Sequence, residues 1–148
     1  MIKKFREGDN MEATIAKKSI TKIQAEAIFD EAYEAGMNAG NTAGVIPMIV
    51  GSPSTPFGND VDMTKQTYFV EGGVCGFAWV KIRPARGNFV AYLKSLEKYE
   101  KSNAYDGGYN YWVSGFGQSM QRKEAFAQEF AEVLLKYGID AHAQSRMD

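Results

Sequence analysis

The sequence predicts a single α+β domain: a mixed, mostly antiparallel sheet covered by three helices, in the order α-β-β-β-α-β-α-β. Three observations carry this. Apolar residues recur at helical spacing in some stretches and alternate at strand spacing in others. Strands come first as neighbouring runs around glycine-rich turns and only later alternate with helices, which favours a mixed sheet over a parallel one. Finally, 148 residues with 45% hydrophobic and 24% charged side chains fit one globular core rather than a disordered tail. One cysteine, Cys75, and one histidine, His142, leave no disulfide framework and no usual zinc cluster. The net charge of −1 gives no global attraction to nucleic acid. No apolar run reaches the roughly 18–20 residues of a membrane span and no signal peptide opens the chain, so the expectation is a soluble intracellular protein.

Residues 1–20 have weak periodicity and mixed charge and read as an N-terminal arm; residues 21–148 form the domain. Thr21 and Gln24 have the spacing of a capping box. Behind them Ala25, Ile28, Ala32, Ala35 and Ala39 make a narrow small-residue stripe, suited to a sheet or to a twin helix, and residues 40–44 end the helix. Residues 45–50 form a strand that Pro47 confines to an edge or a bulge. Residues 51–63 are a loop. Residues 66–71 and 74–83 read as a hairpin around Gly72 and Gly73. In its second strand Phe77, Trp79 and Lys81 point one way, and Gly76, Ala78, Val80 and Ile82 the other. Asn88 caps a helix over 89–101, with an apolar face of Phe89, Tyr92, Leu93 and Leu96. Residues 104–108 turn, 109–114 are an aromatic strand, and 120–137 are a helix that Gly138 stops. Residues 139–147 close the sheet.

Two loops suggest chemistry. Residues 114–121 run from a strand through Gly115-Phe116-Gly117 to a polar helix entrance, where free N–H groups and glycines admit an anion. The spacing matches neither a Walker loop nor GxGxxG. Ser114, Phe116, Gln118, Ser119, Gln121 and Arg122 are the candidate residues, set against the plainer reading of a strand-to-helix turn capped by Ser119. Lys81, Arg83 and Arg86 form the second candidate, ahead of another helix; the plainer reading is a solvated basic edge. Between residues 81 and 101 there are six basic and two acidic side chains, whereas helix 21–40 has one lysine and four acids, so the charge is segregated. The two loops share a rim only if their strands are parallel neighbours. Among Phe77, Trp79, Tyr105, Tyr109, Tyr111, Trp112 and Phe116, core and cross-strand packing accounts for most; Tyr111 and Phe116 are the candidates to stack on a base, with Phe116 outside the core. Cys75 and His142 show no nucleophile–base spacing, no carboxylate cluster has metal-ligand character, and no catalytic residue, metal or cofactor is assigned.

Residues 72–84 (GGVCGFAWVKIRP), 111–127 (YWVSGFGQSMQRKEAFA) and 141–148 (AHAQSRMD) resemble a family of small uncharacterised accessory proteins of tailed bacteriophages. The resemblance covers residues 20–148 and carries no activity with it. It implies the host bacterial cytoplasm and, by analogy with other phage accessory proteins, counter-defence by sequestering a nucleotide signal. It also adds Arg146 to the candidate site. The expected function is non-catalytic binding of a phosphate-bearing small molecule. The alternative is a protein-interaction or structural phage component acting through the first helix, the arm and loop 51–63 on a host protein. Nucleic acid is a less favoured partner, a membrane is not expected, and homo-oligomerisation is expected from the small-residue stripe, the edge strand and the arm.

Overall fold

A computed structural model describes residues 19–96 and 107–148. Most of the expected N-terminal arm lies outside the described residues, as do Tyr105 and the end of the second helix with Glu97, Lys98, Glu100 and Lys101. The described chain has the expected order: helix α1 (Lys22–Thr42), strands β1 (Met48–Gly51), β2 (Thr67–Val70) and β3 (Gly76–Arg83), helix α2 (Asn88–Leu96), strand β4 (Tyr109–Trp112), helix α3 (Met120–Lys136) and strand β5 (Asp140–Met147).

Helix α1 begins at a complete capping box. Thr21 Oγ1 accepts from the Gln24 amide at 3.1 Å, and Gln24 Oε1 accepts from the Thr21 amide at 2.9 Å. Its alanine stripe packs on α3, so it is not free for a twin helix: Ala25, Ala32, Gly36 and Gly40 are buried, and a Cβ on Gly36 would stand 2.7 Å from the Phe126 ring.

The strands divide between two antiparallel sheets, where the sequence suggested one mixed sheet. β1 and β2 form a ribbon with Met48 opposite Val70 and Gly51 opposite Thr67. β3 is the centre of a three-stranded sheet, with Trp79 opposite Trp112 in β4 and opposite Gln144 in β5. The expected hairpin between β2 and β3 does not form, because the entrance to α3 occupies the chain between them. Gln118 O accepts from Gly76 N at 3.1 Å, Val74 O accepts from Met120 N at 3.0 Å, and Gly72 O accepts from Ser119 Oγ at 2.7 Å. With those groups satisfied, β2 turns away at Gly73 (φ +75°) and pairs with β1.

The inward face of β3 is small and flat: Gly76, Ala78, Val80 and Ile82 are all buried. Phe126, Phe130 and Leu134 of α3 fill the space above it. Phe29 of α1 joins the helices to the sheet, within 5.9 Å of Phe130, 5.6 Å of Tyr92 and 6.0 Å of Tyr111, centroid to centroid. Each of these buried aromatic or aliphatic side chains contributes about 1.5–3 kcal/mol by leaving water. Tyr111 therefore belongs to the core, stacked on Phe130 at 4.9 Å, and is not available to a base.

Helix α2 starts one residue earlier than expected. Gly87 O accepts the first helical bond, from Ala91 N at 2.9 Å. Asn88 is not the cap: its side-chain amide donates to Ile20 O at 2.6 Å and so fastens the end of the N-terminal segment to the turn.

Candidate functional site

The antiparallel pairing of β3 and β4 separates the two candidate loops. β3 leads out at Arg83, level with Asp140, while β4 leads out beyond Trp112, level with Trp79. Four residues of strand, about 13 Å, separate those levels. The condition for a shared rim is not met, and the loops are two separate places.

The 114–121 loop is a clasp. Ser119 caps α3, accepting from Arg122 N at 3.4 Å while donating to Gly72 O. Gln121 Oε1 accepts from Ile46 N at 2.9 Å, which holds the approach to β1. Arg122 Nη1 donates to Gly40 O at 3.0 Å and Asn41 O at 3.3 Å, satisfying carbonyls at the C-terminus of α1. Phe116 was expected outside the core. At φ +68° its ring instead packs over Gly40 and lies 6.0 Å from Phe126. Ser114 and Gln118 remain exposed. The polar groups of Ser119, Gln121 and Arg122 thus serve three chain segments.

Lys81 is not part of a solvated edge either. It is 1% exposed, and its ammonium donates to Gly107 O at 3.0 Å. Arg83 and Arg86, by contrast, are exposed and line a cleft of about 1020 Å³, closed by residues 84–90, by Gly107 and Gly108, and by Gly138, Ile139 and Asp140. The N-terminal turn of α2 and two arginines therefore line one space. Its floor is apolar, with Ile82, Phe89 and Val90. Asp140 puts a carboxylate on the rim, and His142 Nε2 lies 2.7 Å from it. Cys75 and His142, which sit six register positions apart along β3, are about 20 Å from each other and cannot act together.

Arg146 stands elsewhere, on the outer face of the sheet, opposite Phe77. That face carries Phe77, Trp79 and Lys81 of β3, Asn110 and Trp112 of β4, and His142, Gln144 and Arg146 of β5. Trp79 and Trp112 lie 4.8 Å apart, Trp79 Nε1 donates to Gln144 Oε1 at 2.8 Å, and the Arg146 guanidinium lies 5.4 Å above the Phe77 ring. Sequence reasoning put these aromatics down to packing. The signal was present in the alternation of β3, but only the pairing partners show that large rings of two strands meet on the side away from the helices.

Comparison of the chain with family models, with curated proteins and with solved structures yields no match. Among the described residues no helix is long and apolar enough to cross a membrane.

Proposed function

We propose that this chain binds a phosphate-bearing small molecule of the nucleotide class in the cleft lined by Arg83 and Arg86. The observation that carries this reading is that two arginines and the N-terminal turn of α2 line one space of about 1020 Å³ with an apolar floor. Guanidinium forks and backbone amides suit phosphate oxygens, and Ile20, Pro84, Ala85 and Ile139 offer an apolar surface to a base. The reading requires no bond-making step. The resemblance to phage accessory proteins supports sequestration of a nucleotide signal in the host cytoplasm as its use. A thermal-shift series with mono-, di-, cyclic and dinucleotides tests it. A ligand at about 100 times its dissociation constant adds about 2.7 kcal/mol, a rise of roughly 5–10 °C for a domain of this size. Arg86→Ala removes that rise and leaves the unliganded melting temperature unchanged. No rise with any nucleotide sinks the reading.

A second reading, interaction with a protein partner or with another copy, is favoured by the β1–β2 ribbon. Both of its faces are apolar and exposed: Ile49 (47%) pairs with Phe69 (69%) on one, Val50 (43%) with Tyr68 (58%) on the other. Phe57, at the far end, is fully exposed. Apolar surface beyond a few hundred Å² marks interaction sites. Ile49 with Phe69 and Val50 with Tyr68 make two apolar surfaces back to back, so the ribbon can be covered from either side. This reading moves the expected surface from α1, whose stripe α3 covers, to the ribbon and the loop within it.

A further inference from the structure

We infer that the outer face of the three-stranded sheet is a binding platform for single-stranded nucleic acid, independent of the cleft. All the buried side chains of β3 with an even number face the helices, and the odd positions Phe77 and Trp79 face away from them. Trp112 joins the two rings from β4, 4.8 Å from Trp79 and 6.4 Å from Phe77, and is itself 39% exposed. Gln144 ties the Trp79 indole N–H, so that ring is held in one orientation. The Phe77 ring holds two cations, the Arg146 guanidinium at 5.4 Å and the Lys123 ammonium at 5.5 Å, so Phe77 anchors Arg146 at the rings and Trp112 is the ring open to a base. Rings and guanidinium planes are the surfaces on which unstacked bases rest, and every base has a face that fits them.

The exposed charge beside the rings is Arg146, a guanidinium within reach of a phosphate whose base rests on Trp112. Arg83 stands at the other end of β3, and Lys81, between them, is buried with its ammonium on Gly107 O and adds nothing to the surface. A carboxylate stands at each end of this face: Asp140 beside Arg83, with His142 at 2.7 Å, and Asp148, whose amide donates to Cys75 O at 3.1 Å, one position beyond Met147. Gly107 and Gly108 lie over Lys81, so the open part of the face is the ring end, from Phe77 to Trp79 in β3 and across to Trp112 in β4, about 7 Å of strand and room for one or two bases. A duplex keeps its bases stacked inside and offers this face only its backbone, so the ring surface selects single strands.

Both tryptophans of the chain, Trp79 and Trp112, are on this face, so intrinsic fluorescence reports on it alone. The test is titration of the full chain with oligo(dT) and oligo(U) of about 12 nucleotides, and with a duplex of the same length, read by tryptophan quenching and by anisotropy of the labelled oligonucleotide. The expected result is saturable quenching by the single strands, weak binding of the duplex, and affinity that falls as salt rises. Stacking worth about 1–3 kcal/mol per base makes Trp112→Ala bind about 5- to 150-fold more weakly, and Trp112→Phe restores most of that loss. Arg146→Ala reduces the salt slope by about 0.7. The proposal is overturned if neither oligonucleotide quenches at about 100 µM and low salt, if Trp112→Ala binds as tightly as the parent, or if the duplex binds equally well. Loss of oligonucleotide binding in Arg86→Ala but not in Trp112→Ala also overturns it, since that places the strand in the cleft. Nucleotide binding that survives Trp112→Ala leaves the cleft reading standing, so the two fail separately.

Discussion

Arg122 shows how one side chain can look like a ligand site and serve the fold. Its sequence neighbours, a glycine-flanked turn and a helix entrance, are those of an anion cradle, yet its guanidinium donates to Gly40 O and Asn41 O. A hydrogen bond from a charged donor is worth about 1.5–3 kcal/mol, and solvent access near Asn41 reduces it. Arg122→Ala is therefore expected to lower stability by about 1–2 kcal/mol, measured by urea unfolding, with nucleotide binding at the cleft unchanged. Gly36 makes the opposite point. Alanine is about 1 kcal/mol better than glycine within a helix, but here a Cβ meets Phe126 at 2.7 Å, and that ring is 2% exposed among Tyr33, Phe116 and Phe130. Overpacking costs about 1–3 kcal/mol, so Gly36→Ala is expected to be net destabilising; a rise in melting temperature would show that the ring can yield. Glu31 gives a pH signature. Burial pushes its carboxyl upward, but hydrogen bonds from Lys136 and Tyr137, with the Lys136 charge, outweigh this and hold it below its usual value. A lowered folded value means that the carboxylate adds stability above pH of about 4.5 and loses it as pH falls through the folded value. At 39% exposure the pair is worth less than about 1 kcal/mol. The melting temperature of the parent should exceed that of Glu31→Gln by a few degrees at pH 7, and the gap should close on acidification to about pH 3.

At the scale of elements, the ribbon differs from everything else in the chain. A two-stranded ribbon is marginal by itself in water, and β1 (Met48–Gly51) and β2 (Thr67–Val70) carry no charged side chain to guard their edges. Its root is held by Gln121 at Ile46 N and by the turn at Gly73, and its body has apolar side chains on both faces. Threonine keeps strand propensity while removing apolar surface. Paired Ile49→Thr and Phe69→Thr changes are thus expected to leave the melting temperature within about 2 °C of the parent, since both sites are exposed. Sedimentation velocity across a range of concentrations then decides the second reading. If the ribbon joins copies of this chain, the parent associates as concentration rises and the paired variant stays monomeric. Equal behaviour of the two removes the ribbon from self-association.

Across the whole molecule, local signals were legible and pairings were not. The capping box at Thr21, the stop at Gly138 and the alternation of β3 all act within a few residues, and each stands where the sequence placed it. The partner of β2 depended on Ser119, Gln118 and Met120, which lie some fifty residues further along and compete for the same backbone. Nothing near Gly72 announces that competition. The fate of the candidate loops turned on the same kind of fact: residues 83 and 114 are drawn apart by an antiparallel register that neither loop encodes. That register also sets the last expectation. The cleft at Arg86 and the ring surface of Phe77, Trp79, Trp112 and Arg146 belong to different ends of one strand, β3, and share no described side chain. Sites more than about 10 Å apart without common partners combine additively to within about 0.3–0.5 kcal/mol. In a cycle of Arg86→Ala, Trp112→Ala and the double variant, the losses of nucleotide and of oligonucleotide affinity should therefore each follow one substitution and ignore the other. A coupling above about 1 kcal/mol for either ligand would mean that a single strand runs from the rings over Arg83 into the cleft, and that the two surfaces are one site.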